Sequence, residues 1–479
     1  MLEVPEPELD PRRWVALLTC CCALFMTLLD VSVTNVALPS IGRATAATPA
    51  QLQWVVSGYT LAFGLVPVLA GRLGDDHGRR LMFQVGVIAF VATSMIAGLA
   101  PTAGVLIAAR VLQGLAGGLI NPQVSGLVQQ LFPGNERGRA FGVLGTTVGV
   151  GAALGPLVGG GLIALGGEHA GWRLVFFVNV PIGLAVILLS RRLLPKDPAV
   201  GRHRLDVLGA VLLGGATFCV LFAAVEYDAL HDRRLAWLAL PALALIAAFA
   251  RRESRLTRSR RDPLVDLRLF RVPSYSSGVL FAIAFFPAMA GLPLVLALYY
   301  QQGLGYTALQ SGLGVTAYAL GSAIAAPLAG RVVTRIGRPL LVLATVTFGV
   351  GAIALALIAA HAPPTGVAFV FAPALFVMGV GSGAIITPNQ ALTLMEVDPV
   401  TGSTAGGVLQ TAQRIGLAVG QAVIGAIFFA SLGGAGTTSQ RYGHALRTAT
   451  VTALAFVALA AVVGVTDLVR NRRRVEADT

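Results

Sequence analysis

WVALLTCCCALFMTLLDVSVTNVALPS, residues 14–40, carries one charged side chain, Asp30. A helix needs about 20 apolar residues to cross roughly 30 Å of hydrocarbon, so this stretch is long enough to span a bilayer while holding a carboxyl group inside it. Comparable runs recur near 52–70, 81–100, 104–127, 140–163 and 172–194, then near 206–226 and 235–250, and finally near 276–301, 309–330, 339–360, 366–394, 403–431 and 446–469. The pattern is six, two and six. Composition points the same way: 56% of side chains are hydrophobic and 12% charged, where a soluble chain carries about a quarter. The expectation is an all-α polytopic membrane protein with fourteen transmembrane helices. It divides into an N-terminal six-helix half over 1–195, two extra helices with basic cytoplasmic loops over 196–270, and a C-terminal six-helix half over 271–479.

A formal charge of +13 raises the question of nucleic acid, but phosphate-binding residues should cluster on a wet face. Here they sit in short loops between apolar runs, where they set orientation and meet anionic headgroups. With the N-terminus placed inside, cytoplasmic segments hold 27 of the 35 basic residues, and both termini are expected in the cytoplasm. The first ten residues, MLEVPEPELD, lack a basic region and a cleavage site, so the first span is expected to stay as an anchor. Cys20, Cys21 and Cys22 are adjacent and Cys219 lies in another run, which reads as small apolar residues rather than a disulfide framework.

AGRLGDDHGRR at 70–80 returns as AGRVVTRIGRP at 329–339, each copy after the second helix of a six-helix block. Duplicated halves are the hallmark of transporters that bind cargo between the halves and rock to alternate access. The chain has one lysine, Lys196 in Pro-Lys-Asp, so it lacks the Gly-Lys-Ser/Thr element that cradles nucleotide phosphates. No nucleotide, metal or other cofactor is expected; an ion gradient is the expected energy source. All six histidines fall in loops, which leaves none placed for an intramembrane proton relay.

Asp30 is the acidic residue well inside an apolar run, roughly 24 Å from the start of its helix at 1.5 Å per residue. A charged carboxylate there costs at least about 2.5–3.5 kcal/mol, which suits it to loading and unloading protons; a static contact with Thr27 or Thr34 is the plainer alternative. Arg110 enters from the opposite side at a depth within an arginine's reach of Asp30. A permanent neutralising pair and a pair that opens for cargo or proton both fit this spacing. GTTVGVGAALGPLVGGG at 145–161 sets small residues along one helix, where a partner backbone can approach closely, and Pro156 can kink it. The loop around Asp75, Asp76, Arg79 and Arg80 is read as a gate latch, against a plain solvated loop. Asn35, Tyr59, Gln113, Asn121, Tyr299, Tyr300, Gln410 and Arg414 are candidate cavity residues.

Together these elements resemble the major facilitator superfamily, and the six-two-six layout resembles its fourteen-helix drug:proton antiporter branch. LLDVSVTNVALP resembles the branch's Asp-x-Thr-x-x-Asn-x-Ala-Leu-Pro element at Asp30, Asn35, Ala37, Leu38 and Pro39, with Ser32 in place of Thr. Gly71, Leu73, Asp75, Gly78, Arg79 and Arg80 resemble the superfamily's gate loop, where Asp76 replaces the usual basic residue. Arg110, Gln113 and Gly114 resemble its Arg-x-x-Gln-Gly element, and Gly149, Gly155, Pro156, Gly159 and Gly160 its antiporter element. WRLVFFVNVPIG at 172–183, the Asp206 to Gly209 spacing, LYYQQGLGYTALQSG at 298–312 and QTAQRIGLAVG at 410–420 resemble further blocks. The resemblance implies a multi-pass protein of the cytoplasmic membrane, with no catalytic residues, that exports small, largely apolar or cationic drugs in exchange for protons. Asp30 would carry the proton, modulated by Arg110, and the chain would work as a monomer. Proton-coupled export or import of one metabolite or lipid, and a non-transporting receptor or scaffold, are the alternatives.

Overall fold

The computed structural model describes residues 11–133, 136–196, 206–230, 233–259, 263–359, 366–433 and 437–478. Each apolar run becomes a helix because hydrocarbon leaves backbone N–H and C=O groups no other partner. The first run forms α1 (Arg13–Thr45), closed by Ala46 in the left-handed region. Thr48 and Gln51 build a reciprocal cap at the start of α2 (Pro49–Leu65). Pro67 cannot continue that helix's hydrogen bonding, and the chain bends by 47° into α3 (Pro67–His77). Gly78, at φ 99°, turns it into α4 (Arg79–Leu99). Next come α5 (Ala103–Leu131), α6 (Glu136–Phe177) and α7 (Asn179–Leu193). Gly167, at φ 73°, breaks α6, so the sixth apolar run read from sequence lies across the α6–α7 boundary.

Two helices then intervene, α8 (Val207–Leu230) and α9 (Ala239–Arg258). The C-terminal part holds α10 (Pro273–Leu298), which runs into a π-helical turn at Tyr299–Gly303, then α11 (Ala308–Gly314) and α12 (Thr316–Ile336). It continues with α13 (Arg338–Ala359), α14 (Val367–Thr393), α15 (Gly402–Ala430) and α16 (Thr438–Asp478). Among the described residues ten helices are long and apolar enough to cross a membrane, eleven if α2 and α3 count as one broken span. That is fewer than the fourteen crossings expected from hydropathy; Leu157–Gly167 and Val207–Ala223 are shorter apolar helices.

In the N-terminal part α1 lies along α6 while α2 and α4 flank α5; in the C-terminal part α10 packs on α15 and α16, and α14 lies between α12 and α13. Where the parts meet, α3 and α5 pack on α15, and α12 on α6. There α6 and α12 touch through glycine: a Cβ on Gly330 would sit 2.4 Å from the Gly142 Cα. α8 covers the seam between α2 and α15, where Leu61, Leu221 and Ala418 form a small apolar cluster. Leu99, Leu357 and Val462 are more than 60% exposed on the outside of the bundle, a surface suited to lipid rather than water.

Candidate functional site

Asp30 sits on the inner face of α1, 0% exposed, and three side chains from two other elements converge on its carboxylate. Oδ1 accepts from Gln113 Nε2 at 2.9 Å and from Asn179 Nδ2 at 2.8 Å, and Oδ2 accepts from an Arg110 Nη. Arg110 and Gln113 lie one turn apart on α5, so a single helix face presents both. The same Arg110 Nη donates to Gln113 Oε1 at 2.7 Å, and Nε donates to the Val55 carbonyl at 3.2 Å. The guanidinium lies 4.2 Å from the Tyr59 ring centre, a cation–π contact. Ser94 supports the far side, accepting from Asn179 at 3.0 Å and donating to the Phe176 carbonyl at 2.8 Å. The plainer expectation of a threonine contact is not met: Thr34 donates to the Asp30 backbone carbonyl and Thr27 to that of Leu24.

This is a buried ion pair whose remaining lone pairs are filled by amide donors, the arrangement that offsets the loss of water around both charges. A proton arriving at Asp30 would cancel its charge and leave Arg110 in a low-dielectric site with no counterion. The structure shows the pair closed.

At the end of the bundle where α3 meets α15, Asp75 caps the start of α15. Its carboxylate accepts from Ser403 N at 3.1 Å, Thr404 N at 2.8 Å and the Thr404 hydroxyl at 2.7 Å, where the helix presents unsatisfied N–H groups and a partial positive charge. Arg79 pairs with Asp75 at 3.0 Å and donates to the carbonyls of Gly126, Pro399 and Val400. Gly71 gives the room: a Cβ there would lie 2.3 Å from the Ser403 carbonyl oxygen. Asp76, the departure from the gate-loop pattern, pairs with Arg72 on its own helix at 3.1 Å. Arg80 turns instead to the carbonyls of Arg191 and Leu194, tying α4 to α7. A second layer follows, in which Gln390 and Gln410 both donate to the Ser125 hydroxyl, at 2.9 and 3.1 Å. Arg137 adds bonds to the Leu394 and Met395 carbonyls.

Three glycines of α6 face α1. Cβ atoms at Gly151, Gly155 and Gly159 would meet Leu28, Ser32 and Val33 at 3.2, 2.0 and 3.2 Å, whereas one at Gly160 would meet nothing within 4 Å. Gly149 and Pro156 fall within α6 but outside the residues whose surroundings are described. Not every candidate joins a site. Tyr299 and Tyr300 are buried in an aromatic cluster with Tyr306 and Phe371 inside the C-terminal part, away from Asp30. Asn35 is exposed on α1 and Asn121 half-buried on α5. Sequence reasoning missed Asn179 and Ser125; each is a small polar residue inside an apolar run, the one signal that marks it.

The sequence model of the Major Facilitator Superfamily matches residues 20–421, and a second match covers 277–478. The chain belongs to the major facilitator superfamily. Several of its relatives are named for antibiotic transport, antibiotic resistance or multidrug resistance, beside one named as a riboflavin transporter; these support the drug-efflux branch and make the chain a multi-pass membrane transporter rather than an enzyme. It is 36% identical to a probable actinorhodin transporter of Streptomyces coelicolor, over 88% of this chain and 73% of the relative. It is 34% identical to a puromycin resistance protein of Streptomyces alboniger, over 87% of this chain and 82% of the relative. Among solved structures the human organic anion transporter MFSD10 superposes with a TM-score of 0.66 at 16% identity, covering 94% of this chain and all of that one, a likeness of fold.

Proposed function

We propose that this superfamily member exports small, largely apolar drug-like molecules in exchange for protons, without a cofactor, as a monomer in the cytoplasmic membrane. The observation that carries the reading is the fully buried Asp30 carboxylate, held by Arg110, Gln113 and Asn179. A carboxylate is expensive inside the membrane, and a change of its charge during the cycle gives that expense a use. Fourteen crossings with both termini cytoplasmic, arranged as six-helix units over 1–195 and 271–479 around an inserted pair, complete the proposal. With that topology the latch at Asp75 seals the cytoplasmic side. Each proton entering down 100 mV supplies about 2.3 kcal/mol.

Reconstituted protein loaded with a fluorescent drug should lose it under an imposed pH gradient, and Asp30→Asn should abolish the gradient dependence while leaving exchange down a concentration gradient. Equal gradient-driven flux in both would remove Asp30 from the mechanism. A transporter dedicated to one antibiotic is the second reading, favoured by relatives whose names specify single compounds.

A further inference from the structure

The three arginines buried among the described residues each have a counterion from the chain itself: Arg110 has Asp30, Arg79 has Asp75, and Arg338 has Glu396 and Asp467. Arg414, half-buried, lies twelve residues into α15, roughly 18 Å from the helix start at 1.5 Å per residue. It makes no hydrogen bond or ion pair with any described residue. Its guanidinium instead lies 4.4 Å from the ring centre of Phe63 on α2, and the side chain remains partly accessible. A ring face attracts a cation weakly and does not neutralise it. The three ring contacts from Arg110 to Tyr59, Tyr59 to Phe63, and Phe63 to Arg414 separate it from Asp30.

Its surroundings share one character. The Tyr59 hydroxyl is buried without a partner and lies beside the same Phe63 ring, since a Cβ on Gly117 would meet the ring at 2.9 Å and that hydroxyl at 3.2 Å. Thr411, one turn before Arg414 on α15, has a buried hydroxyl with no partner. Arg414 has only donors to offer and both hydroxyls have one free, while the acidic residue buried within this part of the bundle, Asp30, is already filled. Buried hydroxyls without partners are costly, and beside an accessible guanidinium with no counterion an oxyanion would satisfy hydroxyls and cation together.

We infer that Arg414, with the Tyr59 and Thr411 hydroxyls and the Phe63 ring, forms a cargo subsite for an aromatic or apolar molecule bearing a carboxylate or phenolate. This rests on the export reading and narrows its cargo, replacing the cationic part of the expectation. The oxyanion takes the fork of the guanidinium, whose planar donors match a carboxylate. Arg414 selects the cargo's charge; the proton is handled separately at Asp30.

The test is equilibrium binding to the intact chain in lipid nanodiscs, read by fluorescence polarisation with no gradient present. Two probes are compared: fluorescein, an anion, and a rhodamine methyl ester, which has the same tricyclic ring but is a cation. Fluorescein should bind about tenfold or more tighter, the effect of one charge-assisted contact. Arg414→Gln should remove that preference, and Arg414→Lys should keep most of it. Equal or tighter binding of the rhodamine ester to the intact chain overturns the inference, and so does unchanged fluorescein affinity in a folded Arg414→Gln protein. The two-probe comparison needs no variant, so a folding failure leaves the inference exposed to refutation. Binding is read without transport, so absence of proton-driven flux would defeat the antiport reading and leave this result standing.

Discussion

Replacing Asp75 by Asn should open the end of the bundle that the structure shows closed. The Asp75 side chain is 6% exposed, so solvent screens its bonds little. Its pair with Arg79 spans i to i+4 at the α3–α4 junction and survives separation of the two parts; what the closed state alone provides is the set of three bonds from Ser403 N, Thr404 N and the Thr404 hydroxyl. An asparagine keeps one acceptor, loses the charge that complements the helix terminus, and points an NH2 group at a backbone N–H. Hydrogen bonds to charged groups contribute about 1.5–3 kcal/mol each and a carboxylate at a helix N-terminus about 0.3–2. Losing one bond outright and the charge on the others should cost the closed state about 3 kcal/mol, roughly a hundredfold in the open–closed ratio. Labels at His77→Cys and Val400→Cys, both exposed, in a background without native cysteines, report the separation of α3 and the α15 start by single-molecule energy transfer. The Asp75→Asn protein should populate a long-distance state that the parent does not. Arg80→Gln, whose contacts stay within the N-terminal part, should leave the distribution unchanged. A distribution insensitive to Asp75→Asn would show that the gate is held elsewhere.

Gly155→Ala should destabilise the α1–α6 contact by about 1–3 kcal/mol, the usual cost of overpacking, because its Cβ would fall 2.0 Å from Ser32 Oγ; Gly160→Ala should be neutral, and thermal unfolding in detergent distinguishes them. For topology, a thiol probe that cannot cross the membrane should label Trp237→Cys from outside and Ser259→Cys only from the cytoplasmic face; the reverse pattern would sink the proposed orientation. At the C-terminal end of α9 burial lifts the Glu253 carboxyl from 4.5 to about 7, with the Val265 N–H opposing and Asp206 reinforcing. A raised acid favours the neutral form in the folded arrangement, so docking of the 263–266 segment should be strongest below pH 4.5 and weaken as pH passes about 7. The ceiling is about 3 kcal/mol at roughly 1.36 kcal/mol per tenfold change in proton affinity. Hydrogen exchange at Val265, corrected for intrinsic rates, should show this loss in the parent and not in Glu253→Gln.

The helical fold was legible because hydrocarbon imposes a length and a composition on each crossing, and both survive in the sequence. Asp30 and Arg110 were legible for the related reason that charge inside an apolar run is expensive and seldom idle. What sequence could not supply was direction around the helix axis. Nothing in residue order shows that Asn179 faces Asp30 from the start of α7, that Tyr299 and Tyr300 turn into the C-terminal core, or that Gly160 packs on nothing while Gly155 touches Ser32. The break at Gly167 falls in the gap the sequence leaves between the runs at 140–163 and 172–194, and Ala170–Leu193 forms one apolar span; hydropathy marks such a gap without showing the dihedral angle that makes it.

The Asp30 cluster and the closure at Asp75 share one helix. α5 presents Arg110 and Gln113 to Asp30, and three turns and more further on it presents Gln123, Ser125, Gly126 and Gln129 to the closure. Gln123 bonds the Ala70 carbonyl at 2.7 Å, Ser125 accepts from Gln390 and Gln410, Gly126 accepts from Arg79, and Gln129 bonds the Gly402 carbonyl at 3.2 Å. α5 is continuous from Arg110 to Gln129 with Pro122 inside it, so one helix carries both sets of contacts and has a point at which it can bend. Under the proposed antiport, a proton on Asp30 would weaken the bond that ties Arg110 of α5 to α1, and a shift of that end of the helix would disturb the bonds at the other. Such coupling would need no relay of titratable groups between the two sites, which fits a bundle interior in which histidine is absent from every apolar run.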